Sequence, residues 1–143
     1  MNHQVASSET AEQQIVIRWA RVMQSRLPAL GNLYHVPNEA KRSRQTAAVL
    51  KSMGLSAGVP DLILDYPMGT YHGCRIELKH GANKPSKHQI DWLNRLQDAG
   101  YFVAVCYESD AAIQVLEKYL TLQAGEKMRF DTRRSEQYGV PVF

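Results

Sequence analysis

Asp61, Glu77 and Lys79 are the residues whose types and spacing could support chemistry in this sequence. Asp61 follows a proline, fifteen residues separate it from Glu77, and Lys79 lies two positions beyond Glu77. Mg²⁺ usually takes one or two carboxylates from a protein and keeps its other positions for water and substrate phosphate. A neighbouring lysine orients or, as the neutral amine, deprotonates an attacking water, or as the ammonium stabilises the negative charge that builds on phosphorus. Brought together, the three side chains predict metal-assisted attack on a phosphate ester.

The segments that carry these residues have the pattern of a β-hairpin. Residues 61–66 and 74–80 are strand-like runs, and the turn between them is centred near Gly69. If the strands pair symmetrically about Gly69, apolar residues face each other on one side of the hairpin. The predicted pairs are Leu62 with Ile76 and Leu64 with Cys74.

On the other side of the hairpin, the same register places Asp61 opposite Glu77, with Cβ atoms about 5 Å apart. Lys79 follows two residues later on that side. Two facing carboxylates repel each other, and a divalent cation between them reverses the sign of the interaction. Glu-x-Lys is also common as plain alternating charge on exposed strands. A slip of one residue would separate the two carboxylates.

The rest of the chain supplies the elements that must position this hairpin. Apolar periodicity and turn residues predict helices at 9–26 and 44–53, a short strand at 33–36 and an apolar strand at 101–107. Ser86 and Gln89 have the spacing of a capping box, and Gly100 ends the helix that they open. Ser109 or Asp110 is the predicted cap of a last helix. The order predicts an α/β fold with a mixed sheet flanked by helices and a helical crossover between the third and fourth strands.

Chain length and charge limit the number of domains and the class of binding partner. The 143 residues suit one domain, and the net charge of +3 alone indicates little. Three basic clusters in so short a chain favour a polyanionic partner, because phosphate contacts dominate nucleic-acid affinity. The clusters are Lys41–Arg44, Lys84 with Lys87 and His88, and Lys127 with Arg129, Arg133 and Arg134.

Cysteines and hydropathy bear on the cellular compartment, and the histidines bear on zinc binding. Cys74 and Cys106 lie in separate apolar strands and form no disulfide framework, which favours a reducing cytoplasm. The sequence has no export signal and no run of 18 apolar residues, so we expect no membrane insertion. The scattered spacing of His72, His80 and His88 disfavours zinc.

Several motifs in a fixed order resemble a known family. Pro60-Asp61 followed by Glu77-Leu78-Lys79 resembles the PD-(D/E)XK nuclease superfamily. The surrounding segments narrow the resemblance to the VRR-NUC family, the virus-type replication-repair nucleases, over about residues 9–120. These segments are His35–Asn38, Lys41–Ser43, Gly58–Leu62, Tyr71–Gly73, Ile76–Lys79, Ser86–Gln89, Trp92-Leu93 and Gly100–Cys106.

The resemblance implies a single-domain nuclease with an αβββαβ core, and the basic residues 125–143 form an extension beyond it. It implies Mg²⁺-dependent hydrolysis of DNA, with Mn²⁺ as a substitute, and use in repair or recombination in a bacterial or phage-infected cell. The resemblance to small, single-domain members of the family implies a homodimer that cuts branched DNA such as Holliday junctions. Two alternatives remain: a non-catalytic DNA-binding accessory module on a nuclease fold, and a restriction-type enzyme, which the lack of a separate base-reading domain disfavours.

The resemblance also assigns roles to residues. Asp61 and Glu77 become metal ligands, with the backbone carbonyl of Leu78 as a third, and Lys79 becomes the catalytic lysine. Gln89 matches a glutamine beside the family's active site, although it equally suits the helix cap.

A glutamate from the first helix completes the implied site. Glu9 has the expected spacing and is the preferred candidate. Glu12 competes with it because apolar residues follow Glu12 at core-helix spacing. The two glutamates differ by about 60° around the helix, so the sequence alone does not decide between them. A charge that favours the helix dipole is an alternative role for either glutamate.

DNA contacts are expected from the loop that follows the first strand and from two basic clusters. The expected residues are His35, Asn38, Lys41, Arg42, Arg44, Lys84 and Lys87. The tail from Gly125 to Phe143 matches nothing in the resemblance. Three interpretations stay open for it: a dimer contact, a DNA contact or a disordered end.

Overall fold

The computed structural model describes residues 8–37 and 43–143. Along these residues, the order from α1 to α4 is the one that the sequence predicts, and a short helix α5 follows it. The helices are α1 Glu9–Met23, α2 Arg44–Ser52, α3 Lys87–Asp98, α4 Glu108–Tyr119 and α5 Thr132–Ser135, with a 3₁₀ helix at Pro28–Asn32. The strands are β1 Leu33–His35, β2 Leu62–Leu64, β3 Cys74–Lys79 and β4 Phe102–Tyr107.

The four strands form one mixed sheet in the order β1-β2-β3-β4. β1 pairs antiparallel with β2 and β2 antiparallel with β3, while β3 and β4 run parallel. Parallel neighbours need a crossover, and α3 supplies it. The predicted mixed α/β sheet, with a helical crossover between the third and fourth strands, is confirmed.

The hairpin has the predicted register. Leu62 pairs with Ile76 and Leu64 pairs with Cys74. β2 is shorter than predicted, since it begins after Asp61 and ends before Asp65. The carboxylate of Asp65 accepts hydrogen bonds from Tyr34 and Arg75, and its backbone N–H donates to the carbonyl of Asn32.

Apolar side chains pack on one face of β2, β3 and β4 and, on the other face, against β4. One core packs α1 and α4 against β2, β3 and β4 through residues such as Val16, Ile76 and Leu116. A second, smaller core packs α3 against the opposite face of β4 through Leu93 and Val105. β4 is therefore apolar on both sides, which explains its nearly continuous hydrophobic run. No helix within residues 8–37 and 43–143 is long and apolar enough to cross a membrane.

Local side chains cap the N-terminus of α3, whereas the N-terminus of α4 has no local side-chain cap. The predicted capping box of α3 is present: Ser86 and Gln89 satisfy each other's backbone N–H groups. The predicted cap of the last helix is wrong, because α4 begins at Glu108, before Ser109 and Asp110. The acceptor for the Ser109 N–H is Oε2 of Glu12, 2.6 Å away on α1. A long-range carboxylate thus replaces the local cap.

The C-terminal residues pack on the sheet rather than forming a disordered end. Val142 forms a parallel bridge with Val105 at the edge of β4. Met128, Val140 and Val142 are buried.

Gly58 holds the segment before Asp61 against the start of α3. Its φ is +84°, and a Cβ there would lie 2.5–2.8 Å from backbone atoms of His88 and Gln89. Gly54 also has positive φ, +101°, but a Cβ there would meet open space. Gly54→Ala is therefore expected to cost about 1 kcal/mol from the left-handed backbone alone. Gly58→Ala should cost at least about 2 kcal/mol more.

Urea denaturation of the two alanine variants measures this difference directly. Because Gly54→Ala carries the same backbone penalty, equal midpoints for the two variants would contradict the close approach at Gly58.

Candidate active site

Asp61 and Glu77 meet at the end of the hairpin, where β2 begins and β3 approaches its carboxyl end. Asp61 is 6% exposed and Glu77 is fully buried. Oδ2 of Asp61 accepts a hydrogen bond from the Leu78 N–H at 2.8 Å, which fixes the aspartate beside β3. On the opposite side, Nδ1 of His35 lies 2.7 Å from the Asp61 carbonyl oxygen and donates to it. Asp61 is thus held from β1 and from β3.

The Glu77 carboxylate lies in an electrostatically unfavourable position. Neither of its oxygens accepts a hydrogen bond from the part of the chain that the structure describes. Burial, and then the negative charge of Asp61, raises the pKa of Glu77 to about 9. Burial also raises the pKa of Asp61, against the opposing hydrogen bond from Leu78. Strongly perturbed pKa values in neighbouring buried carboxylates are a feature that clusters at functional sites.

Lys79 lies between Glu77 and Glu9. Its Nζ is 3.4 Å from Oε1 of Glu77 and 3.5 Å from Oε1 of Glu9. Burial lowers the pKa of Lys79, but the charges of Glu77 and Glu9 outweigh it and raise the pKa above its ordinary value. The lysine is therefore held charged beside the two strand carboxylates.

Of the two candidate glutamates on α1, Glu9 lies at this group and Glu12 lies elsewhere. Glu9 contacts Lys79, and its Oε1 also accepts a hydrogen bond from Nδ2 of Asn83 at 3.2 Å. Glu12 points toward the start of α4, where it accepts from Ser109. The roles of both in catalysis stay predictions.

Glu12 belongs to a neighbouring cluster with His80 and Glu108. One possible ligand atom from each lies within 4.8 Å of the others. Glu108 accepts a hydrogen bond from the Gly81 N–H at 2.9 Å and lies 2.7 Å from Nδ1 of His80. The carboxylates of Glu12 and Glu108 accept hydrogen bonds from other parts of the fold. The cluster therefore connects α1, the end of β3 and α4.

Gln89 completes the cap of α3. Its Oε1 accepts the Ser86 N–H at 2.8 Å, and Oγ of Ser86 accepts the Gln89 N–H at 3.2 Å. A catalytic role for Gln89 stays a prediction.

The structure describes four of the seven residues that are expected to contact DNA. His35 contacts the Asp61 backbone, as described above. Arg44, Lys84 and Lys87 are exposed, the first at the start of α2 and the others near the start of α3. Asn38, Lys41 and Arg42 lie outside the described residues.

Sequence reasoning missed two residues that support the site, Asn83 and Tyr107. Tyr107 pairs with Lys79 across β3 and β4, and its hydroxyl donates to the Asn83 carbonyl oxygen at 2.9 Å. Asn83 in turn binds Glu9. The parallel pairing of β4 with β3 would have revealed Tyr107, whereas Asn83 lies in a loop without a pattern.

Comparisons with known proteins identify the family of the chain. The family model described as the VRR-NUC domain matches residues 5–110. The chain belongs to the VRR-NUC family. VRR-NUC domains are nucleases, so the chain has a nuclease-type fold and a function related to DNA.

A solved structure described as a VRR_NUC domain protein is 31% identical to this VRR-NUC chain, with a TM-score of 0.72. The match covers 85% of this chain and 97% of that one. No curated protein matches the chain.

Divalent metal use, which the family suggests, fits the residues present. Glu77 presents two buried oxygens without hydrogen bonds from the described residues, and Asp61 lies beside it. Oxygen donors of this kind suit Mg²⁺ or Mn²⁺.

Proposed function

We propose that this protein is a Mg²⁺-dependent DNA endonuclease, with Mn²⁺ able to substitute. The observation that carries the proposal is the position of the Glu77 carboxylate. A fully buried carboxylate beside a second carboxylate, with no hydrogen bond from the described residues, costs folding free energy. Such a carboxylate is tolerated only when it is protonated or when a cation binds it, and with Lys79 beside it the pKa of Glu77 is still about 9.

Asp61, Glu77 and the carbonyl oxygen of Leu78 are the proposed ligands of the metal. When bound, the metal neutralises charge on the substrate phosphate and lowers the pKa of a water for attack. The protein positions these ligands in advance: the Leu78 N–H orients Asp61, and the strand pairing orients Glu77.

Lys79 is the proposed catalytic lysine. Its ammonium, held by Glu77 and Glu9, lies where it can orient the attacking water or stabilise charge on the phosphate. Glu9 is the proposed glutamate of the site, since it contacts Lys79, whereas the carboxylate of Glu12 accepts a hydrogen bond from the Ser109 N–H. Gln89 is proposed beside the site on the family resemblance alone.

The proposal also specifies the DNA structure that is cut and the oligomeric state of the protein. We propose branched DNA, including four-way junctions, as the substrate, with phosphate contacts from His35, Asn38, Lys41, Arg42, Arg44, Lys84 and Lys87. A homodimer is proposed on the resemblance alone. The proposed setting is the cytoplasm of a bacterial or phage-infected cell, with residues 1–143 acting as one nuclease domain.

Cleavage assays test the proposal. The purified protein should cut labelled four-way junctions in Mg²⁺ and not in EDTA, with flaps and plain duplex as comparison substrates. Lys79→Met should lower the rate by about 100-fold or more, because it removes one stabilising charge from the transition state. Binding of the same junction, measured in EDTA, should change much less.

Sedimentation velocity on the same preparation tests the homodimer. Full binding without cuts in Mg²⁺ or Mn²⁺ on all three substrates would favour the non-catalytic accessory module instead. Wild-type rates for Lys79→Met would contradict the site assignment.

A further inference from the structure

The C-terminal residues extend the sheet at its free edge. Among the four named strands, β4 is the last and has a neighbour on one side. The Val105 N–H donates to the Pro141 carbonyl, the Phe143 N–H to Val105, and the Tyr107 N–H to Phe143, each at 2.9 Å. Residues 141–143 therefore cover the edge of β4 with backbone hydrogen bonds.

Contacts with α3 hold the same segment from another side. Nε2 of Gln97 donates to the Gly139 carbonyl at 2.9 Å, and Nδ2 of Asn94 donates to the Tyr138 carbonyl at 3.2 Å. Val140 and Val142 are buried in the core that α3 covers. The segment is thus a fixed part of the fold, although it lies beyond the residues 5–110 that match the family model.

This anchoring carries α5, which precedes the segment, to the active-site end of β4. The guanidinium carbon of Arg134 lies 5.8 Å from the centre of the Tyr107 ring. Tyr107 pairs with Lys79 and binds the Asn83 carbonyl, and Asn83 binds Glu9. Burial raises the pKa of the Tyr107 phenol, and the charges of Lys79 and Arg134 oppose this rise. One aromatic ring therefore separates Arg134 from the loop that borders the active site.

Arg133 and Arg134 are neighbours with different partners. The guanidinium of Arg133 binds both oxygens of Asp131, with a shortest distance of 2.8 Å, and these hydrogen bonds lower the pKa of Asp131 to about 2. Arg134 is exposed and forms no salt bridge with any residue in the described ranges. Asp131 thus pairs directly with Arg133, whereas Arg134 interacts with Asp131 only through its charge and lies against the Tyr107 ring.

We propose that Arg134 binds a backbone phosphate of the DNA substrate, next to the one that is cut. The proposal rests on the nuclease function proposed above. An arginine fork matches two phosphate oxygens at once, and contact with an aromatic face restricts its orientation before binding. The C-terminal segment then acts as an added DNA-binding element that the family domain does not include.

Arg134→Ala and Arg133→Ala form a matched pair for the test. Both side chains are exposed, so neither change should alter folding, and thermal melting checks this. Binding of a fluorescent four-way junction is measured by anisotropy in EDTA over a series of salt concentrations. Arg134→Ala should weaken binding about 5-fold to 10-fold and reduce the slope of log K against log salt by about 1. Arg133→Ala should stay within about twofold of the wild type.

Cleavage under the same conditions with Mg²⁺ should show a raised KM and a kcat within about twofold for Arg134→Ala. Equal binding and equal salt slopes for the two variants would overturn the Arg134 proposal and leave the nuclease proposal intact. A wild-type protein that binds the junction without cutting it would overturn the nuclease proposal, whereas the loss of affinity in Arg134→Ala would still identify the phosphate contact.

Discussion

Glu77→Gln is expected to reduce Mg²⁺-dependent cleavage of DNA by about 1,000-fold or more and to stabilise the metal-free protein. The amide has the shape of the carboxyl group but no charge, so the proposed metal loses an anionic ligand. The metal-free fold becomes more stable, because wild-type Glu77 is buried beside Asp61 and must be protonated to be tolerated. An amide needs no protonation and can donate a hydrogen bond to Asp61, which should add about 1–3 kcal/mol to the free energy of unfolding at pH 7.

Glu117→Gln is the matched control, because Glu117 is exposed on α4. It removes the same charge from the chain and should leave both cleavage and stability unchanged. Single-turnover cleavage of a junction and urea denaturation in EDTA measure the two effects. If Glu77→Gln lowers stability, the Glu77 carboxylate contributes favourably to the metal-free fold, contrary to its position here.

Much of the hairpin could be predicted from the sequence because two local signals agree. Alternating apolar residues select the face of each strand, and the turn near Gly69 sets the register. These signals place Leu62 opposite Ile76, as observed. Asp61 and Glu77 then lie at the next step of the register. Lys79 follows from the two-residue period of β3.

The choice between Glu9 and Glu12 could not be made from sequence. Both lie in the first turns of α1, and which one contacts Lys79 depends on how the helix lies across the sheet. That orientation follows from side-chain packing between α1, α4 and the sheet, which no short sequence window records. The start of α4 at Glu108 escaped prediction for the same reason, because its acceptor comes from α1.

The C-terminal residues were unpredictable for a different reason. They join β4 through backbone hydrogen bonds, and backbone groups are the same in every residue. Pro141 interrupts what would otherwise be a recognisable strand pattern. The interpretation as a disordered end was therefore wrong, while the DNA contact now has a specific candidate in Arg134.

The metal-free protein is expected to lose stability as pH rises from about 4.5 toward about 9, and added Mg²⁺ or Mn²⁺ should restore it most at the alkaline end. The pKa of Glu77 is about 9 in the folded protein against an ordinary value of 4.5. Between these values the folded chain holds a proton that the unfolded chain has released. The free energy of unfolding therefore falls with pH, by up to about 1.4 kcal/mol per pH unit for one proton.

The raised pKa of Asp61 acts in the same direction, and other groups also titrate, so the informative quantity is a difference between proteins. Denaturation of the wild type and Glu77→Gln in EDTA at pH 6, 7 and 8 should give curves that diverge as pH rises, because the amide cannot titrate. A divalent cation requires the ionised carboxylates and competes with the proton for them, so its stabilising effect should grow over the same interval. Parallel curves for the two proteins would mean that Glu77 is already ionised without metal. In that case Lys79 alone balances its charge, and the cation is not what makes this pair of carboxylates tolerable.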